Sequence, residues 1–178
     1  MKKYQKLLFI LCLPFLPTSA EAMDPADGEY KIFCHTKNRG KRYLEAFPRE
    51  GNGKVRPRPE SLSQDQNWSI ETRNNYRRIS CRTRNGGIRY LEAFPKDKVA
   101  RPKPQSYSQD QDWFIIPVSN GYYRIGCHTK NGGTRYLEAF PKAEDDKGVV
   151  RPSIESYTPK TKSYNPDQLW KLEKINNN

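Results

Sequence analysis

The sequence has no apolar run of about 20 residues, and without one no helix is long enough to cross a bilayer. It holds two histidines, His35 and His128, so the side chain best suited to proton transfer near neutral pH is almost missing. Hydrophobic residues make up 34% of the 178, a lean supply of aliphatic core. Acids are scarce beside bases, 20 against 32 Lys and Arg, for a net charge of +12. Against these shortages stand 3 Trp, 11 Tyr and 7 Phe, a complement that disordered chains rarely carry. The length suits one domain and hardly two. Fourteen Pro and 11 Gly argue for many turns and against long helices.

Residues 1–22 read as a secretory leader rather than part of the fold. Lys2, Lys3 and Lys6 precede a short apolar stretch over 7–16, and Ala20 and Ala22 place small residues at −3 and −1 of a cut after Ala22. A cut after Ala20 is the second choice. The apolar stretch is too short for an anchor, and Leu11 before Cys12 lacks the small residue a lipoprotein signal wants. The expectation is a mature chain of 23–178, secreted or periplasmic, with a net charge of +10 once three Lys and one Glu leave. Three cysteines remain: Cys34, Cys81 and Cys127. Their spacings of 47 and 46 residues are unlike the close ligand pairs of a zinc site. They predict one inward, reduced thiol per repeat, each acting as a small hydrophobe, with no metal and no disulfide.

Alignment on those cysteines exposes three copies of one unit. Residues 38–48 read NRGKRYLEAFP, 85–95 NGGIRYLEAFP and 131–141 NGGTRYLEAFP, with nine of eleven positions identical. Each copy then carries a Val and an Arg-Pro pair (Arg56-Pro57, Arg101-Pro102, Arg151-Pro152) and closes on Asp-Gln-x-Trp at Trp68, Trp113 and Trp170. The repeats run over about 28–72, 73–118 and 119–175. Within each, alternation such as Tyr123-Arg124-Ile125-Gly126-Cys127-His128 predicts strands, and Asn-Gly-Gly predicts tight turns. Four short strands per repeat give twelve.

Three units of about 46 residues with a tripled Gln-x-Trp resemble the β-trefoil of the ricin-type lectins. The Tyr-Leu and Trp strands are also somewhat similar to those of fascin-like trefoils. The resemblance covers 23–178 and implies an all-β chain of twelve strands around a pseudo-threefold axis. For the lectin family it implies an acid after the apolar residue of the second strand, accepting bonds from sugar hydroxyls. That acid falls on Glu45, Glu92 and Glu138. A polar helper before the Gln falls on Asp65, Asp110 and Asp167. Glu stands where the family has Asp. The family's third-strand aromatic is missing, with Arg56, Arg101 and Arg151 near its place. Tyr107 and Tyr157 are candidate stacking faces, where the first repeat has Leu62.

A competing account makes these residues architectural. Recurrence in three repeats is what a fold needing a residue three times would also produce, and the glutamates could pair with Arg42, Arg89 and Arg135. No nucleophile, acid–base pair or cofactor motif stands out, so an enzyme is not expected. The basic surface would draw acidic or sulfated glycans, lipopolysaccharide or anionic lipids; export argues against nucleic acid. The expectation is a lectin-like binder of carbohydrate or glycoconjugates, with up to three shallow sites and no cofactor. The alternative is a protein-binding trefoil, fascin-like or inhibitor-like, acting through the insertion that lengthens the third repeat at 158–165.

Overall fold

Alternation of buried and open residues sets the strand faces. In β1 (Gly28–Thr36), Tyr30, Ile32, Cys34 and Thr36 are buried, while Glu29 and His35 face outward. The computed structural model describes residues 23–48, 53–84, 87–130, 133–142, 148–158 and 163–176. The expected leader at 1–22 lies outside the described residues. Within them the chain is all-β, joined by short 3-10 turns.

The first repeat contributes β1, β2 (Gly40–Phe47), β3 (Lys54–Arg58) and β4 (Asn67–Arg73). The second contributes β5 (Tyr76–Thr83), β6 (Gly87–Phe94), β7 (Val99–Lys103) and β8 (Trp113–Pro117). The third contributes β9 (Tyr123–Thr129), β10 (Gly133–Phe140), β11 (Val149–Ser153), β12 (Tyr157–Thr158), β13 (Ser163–Tyr164) and β14 (Trp170–Lys174). Twelve of the described strands share one sheet, and β12 and β13 form a separate ribbon at the two ends of the third repeat's insertion. The strand count therefore exceeds four in that repeat, because the extra chain length folds back on itself through Tyr157–Tyr164 pairing.

Equivalent hairpins keep equivalent registers. Leu44 faces Pro57, Leu91 faces Pro102 and Leu137 faces Pro152. The third strands β3, β7 and β11 each pair on one side only, which is where a proline lacking its N–H is tolerated. They also approach one another, bringing Val55, Ala100 and Val150 into one core. β1 pairs with β14, so the last strand closes onto the first.

The core is bound by its tryptophans. Trp68, Trp113 and Trp170 are fully buried, and each indole N–H donates to a second-strand carbonyl, of Leu44, Leu91 and Leu137, at 2.8 Å. Burying so large a ring is favourable when its one polar group finds a partner. Tight turns between first and second strands place Gly40, Gly87 and Gly133 at φ of 63–67°, where a β-carbon is disfavoured. Thr36, Thr83 and Thr129 hydroxyls close these turns by donating to the glycine carbonyls at 3.0–3.2 Å.

Candidate functional site

Each candidate glutamate sits late on a second strand, directly opposite an arginine on the third: Glu45 opposite Arg56, Glu92 opposite Arg101, Glu138 opposite Arg151. The pairing contemplated with Arg42, Arg89 and Arg135 is not what forms for Glu138. Its Oε2 accepts from Arg151 Nε at 2.9 Å. The reason is geometric: residues three apart on a strand point to opposite faces.

The glutamine of each Gln-x-Trp is buried and spans the loop ahead of it. Gln66 Oε1 accepts from Ser61 N at 2.8 Å, and its Nε2 donates to Pro59 O at 2.8 Å. Gln111 does the same with Ser106 N (2.9 Å) and Pro104 O (2.9 Å), and Gln168 with Ser156 N (3.0 Å) and Ile154 O (2.8 Å). In the first two repeats the same amide also donates to the glutamate, Glu45 Oε2 at 2.5 Å and Glu92 Oε2 at 2.7 Å. Both carboxylates are half-buried. Burial pushes their pKa values up, an effect opposed by the glutamine bond and the nearby Arg58 or Lys103, and reinforced by Asp65 or Asp110.

The third repeat departs from this. Glu138 is buried, with Oε2 on Arg151 and Oε1 accepting from Asn165 Nδ2 at 3.1 Å. Asn165 replaces Ser63 and Ser108, which have no comparable donor arm. All three residues cap their 3-10 turns by accepting from the backbone N–H of Asp65, Asp110 or Asp167.

Those aspartates act across repeat boundaries. Asp65 Oδ1 accepts from Arg84 N at 2.9 Å, Asp110 Oδ1 from Lys130 N at 3.1 Å, and Asp167 Oδ1 from Lys37 N at 3.1 Å. Each repeat thus latches the first hairpin of the next, and the third latches the first. Burial pushes the Asp167 pKa up, offset by the Lys37 N–H and reinforced by Glu138.

The candidate arginines stack on a phenylalanine that the sequence reading passed over. Arg56 lies 4.7 Å from the Phe47 ring, Arg101 5.2 Å from Phe94 and Arg151 4.1 Å from Phe140. The tripled Ala-Phe-Pro was the available signal. In the second repeat a cleft of about 280 Å³ is lined by Phe94, Lys96, Asp97 and Asp110. Tyr107 is 86% exposed with the Arg73 guanidinium 5.1 Å from its ring, and Leu62 is fully open at the equivalent position. The Tyr157 side chain lies outside the described residues.

A second missed set is the cation before each first-strand isoleucine: Lys31, Arg78 and Arg124. Arg78 bonds Ser106 O (3.0 Å), Gln111 Oε1 (2.9 Å) and Asp112 (2.8 Å), while Lys31 pairs with Glu60 and Arg124 with Glu155. These cations hold the loops that carry the glutamines. Cys34, Cys81 and Cys127 are buried, and burial pushes all three thiols up, Cys81 to about 12. Among the described residues no group of three His, Cys, Asp or Glu is placed to hold a metal, and no helix is long and apolar enough to cross a membrane.

No protein-family model matches the chain, and no curated protein matches it in sequence. Solved structures do. A designed threefold-symmetric protein, ThreeFoil, superposes with a TM-score of 0.60 at 18% identity over 84% of this chain and 100% of its own. A Polyporus squamosus lectin, solved with the epitope Neu5Acα2-6Galβ1-4GlcNAc, gives 0.61 at 16% identity over 85% of this chain and 50% of the lectin. A Clostridium perfringens endo-β-galactosidase that releases GlcNAcα1-4Gal gives 0.56 at 20% identity, over 83% of this chain and 32% of the enzyme. The chain thus spans half of the lectin's length and a third of the glycosidase's. These likenesses establish the fold: the protein is a β-trefoil.

Proposed function

We propose that the protein is an exported, non-enzymatic carbohydrate-binding trefoil whose three repeats are related by a pseudo-threefold axis. The observation that carries this reading is the pair of half-buried carboxylates at Glu45 and Glu92. A glutamine holds one oxygen of each and leaves the other without a partner among the described residues. An oriented carboxylate oxygen accepts sugar hydroxyls strongly, and the adjoining Arg–Phe pair presents both a cation and an apolar ring edge. The trefoil neighbours that bind or cleave glycans support the same class of ligand. In the third repeat Glu138 is engaged by Asn165 and Arg151, so the working sites are those of the first and second repeats. The net basic surface favours acidic or sulfated glycans.

A glycan array probed with the wild-type chain and with E45Q/E92Q, at low and physiological salt, tests this. The amides keep the shape but lose the charge. Each carboxylate-to-hydroxyl bond is worth roughly 1.5–3 kcal/mol, so binding should fall about ten- to a hundredfold per site. Undiminished binding by E45Q/E92Q that vanishes at physiological salt, where the Debye length is about 8 Å, would transfer the function to the basic surface. Array silence would favour a protein partner acting at the β12–β13 ribbon.

A further inference from the structure

The three seams between repeats have matching registers but are filled differently. At the seam of the third and first repeats, Lys171 of β14 faces Phe33 of β1, which faces Tyr43 of β2. The Phe33 ring is 7% exposed, lies 5.3 Å from the Tyr43 ring and carries Lys41 Nζ at 4.0 Å. At the seam of the second and third, Phe114 of β8 faces Gly126 of β9, which faces Tyr136 of β10. Phe114 lies 5.0 Å from the His128 ring and 5.9 Å from Tyr136. A β-carbon on Gly126 would come within 2.3 Å of the Phe114 ring, so the glycine is what admits it. Each of these seams is closed by one phenylalanine.

Among the described residues, the seam of the first and second repeats has none. Ser69 of β4 faces Ser80 of β5, which faces Tyr90 of β6, and Glu29 of β1 extends the row. A groove of about 360 Å³ opens here, walled by Glu29, Ser69, Glu71, Ser80, Arg82 and Ile88. That volume is in the range of small-molecule sites. Ser80 is 5% exposed, yet among the described residues its hydroxyl, like the Asn67 amide and the Arg82 guanidinium, bonds no other side chain or backbone group. Ile88 is 49% exposed and supplies an apolar wall.

We propose that this groove binds a single neutral pyranose, at a site separate from the glutamate pockets and independent of them. Carboxylate acceptors at Glu29 and Glu71 and donors at Asn67, Ser80 and Arg82 suit adjacent hydroxyls, while Ile88 suits the C–H face of the ring. Two carboxylates against one guanidinium make the groove net negative on a strongly basic molecule. Anionic sugars are therefore disfavoured here, the opposite of the preference assigned to the glutamate pockets.

The test is an amide chemical-shift titration of the ¹⁵N-labelled protein carrying E45Q/E92Q/E138Q. The probes are methyl β-galactopyranoside, methyl β-glucopyranoside and glucuronate. At least one neutral glycoside should give saturable shifts at Ser69, Ser80 and Ile88, with glucuronate at least tenfold weaker. Ser80→Phe, which copies Phe33, should abolish them. Should that variant not fold, the exposed Arg82→Ala substitution should still weaken the shifts at least tenfold. No groove shifts with either neutral glycoside, equal shifts with glucuronate, or shifts indifferent to a folded Ser80→Phe or to Arg82→Ala would each overturn the proposal. Because the glutamates are already replaced, failure of the pocket reading leaves this result untouched, and the reverse also holds.

Discussion

Gln111 illustrates how much one buried side chain can hold. It satisfies the Ser106 N–H and the Pro104 carbonyl, orients Glu92 and accepts from Arg78. Gln111→Leu keeps the volume and leaves several of these groups buried without partners, each costing about 1–3 kcal/mol. A loss of about 2–4 kcal/mol is expected in urea unfolding. Gln168→Leu should cost less, since Gln168 has no glutamate bond described. The glutamates behave in the opposite sense. Burial raises the folded pKa of Glu45 and Glu92, so their favourable contribution is present below the unfolded value and is lost as pH rises through the folded one. At neutral pH their ionisation opposes folding. E45Q/E92Q should therefore unfold at equal or higher urea than wild type at pH 7, with wild type gaining on it as pH falls toward 4. If binding needs the carboxylates, it should also fade at a higher pH than an ordinary glutamate would dictate. The thiols belong to this scale as well. Buried and pushed far up, Cys34, Cys81 and Cys127 should react negligibly with a thiol reagent at pH 8 in the native protein, and three should react after denaturation.

Between elements, the 3-10 turn before each Trp strand carries two duties. Its cap, Ser63, Ser108 or Asn165, orders the turn, and its aspartate seizes a backbone N–H of the following repeat. Asp110→Ala should loosen the second-to-third junction and cost about 1–2 kcal/mol, with Asp110→Asn costing less because an amide oxygen still accepts. If the aspartates served ligand alone, neither change would register in unfolding. Asn165→Ser separates the cap from the donor arm. Serine caps equally well in the other two repeats, but has no donor arm reaching Glu138. Under the proposed reading, Asn165→Ser frees one Glu138 oxygen and should raise the stoichiometry for an array-identified glycan from two toward three by calorimetry.

At the scale of the molecule, the tripled motif made much of this chain legible in advance. Tyr-Leu-Glu-Ala-Phe places Leu44, Leu91 and Leu137 inward, and the structure buries all three beside the tryptophans. The inward register of the cysteines follows from the same alternation. The trefoil itself was readable because a unit of about 46 residues cannot bury its own apolar face and must close with its copies. The candidate site was only partly legible. Repetition flagged Glu45, Glu92 and Glu138 as one class, yet it could not say that Asn165, in an insertion of unequal length, engages the third. It flagged the aspartates too, without their latch partners.

Strand faces, the tripled unit and the excess of base over acid were determined by the sequence alone, because each depends on near neighbours and on period. Tertiary structure decided what meets across the seams: Asp167 with Lys37, 130 residues apart, and Lys171 with Phe33. It also decided that Ser69 meets Ser80 where the other seams hold a ring. Such meetings depend on how three similar but unequal units close on one another. Alternation records which way a side chain points, and only closure of the sheet settles what it faces.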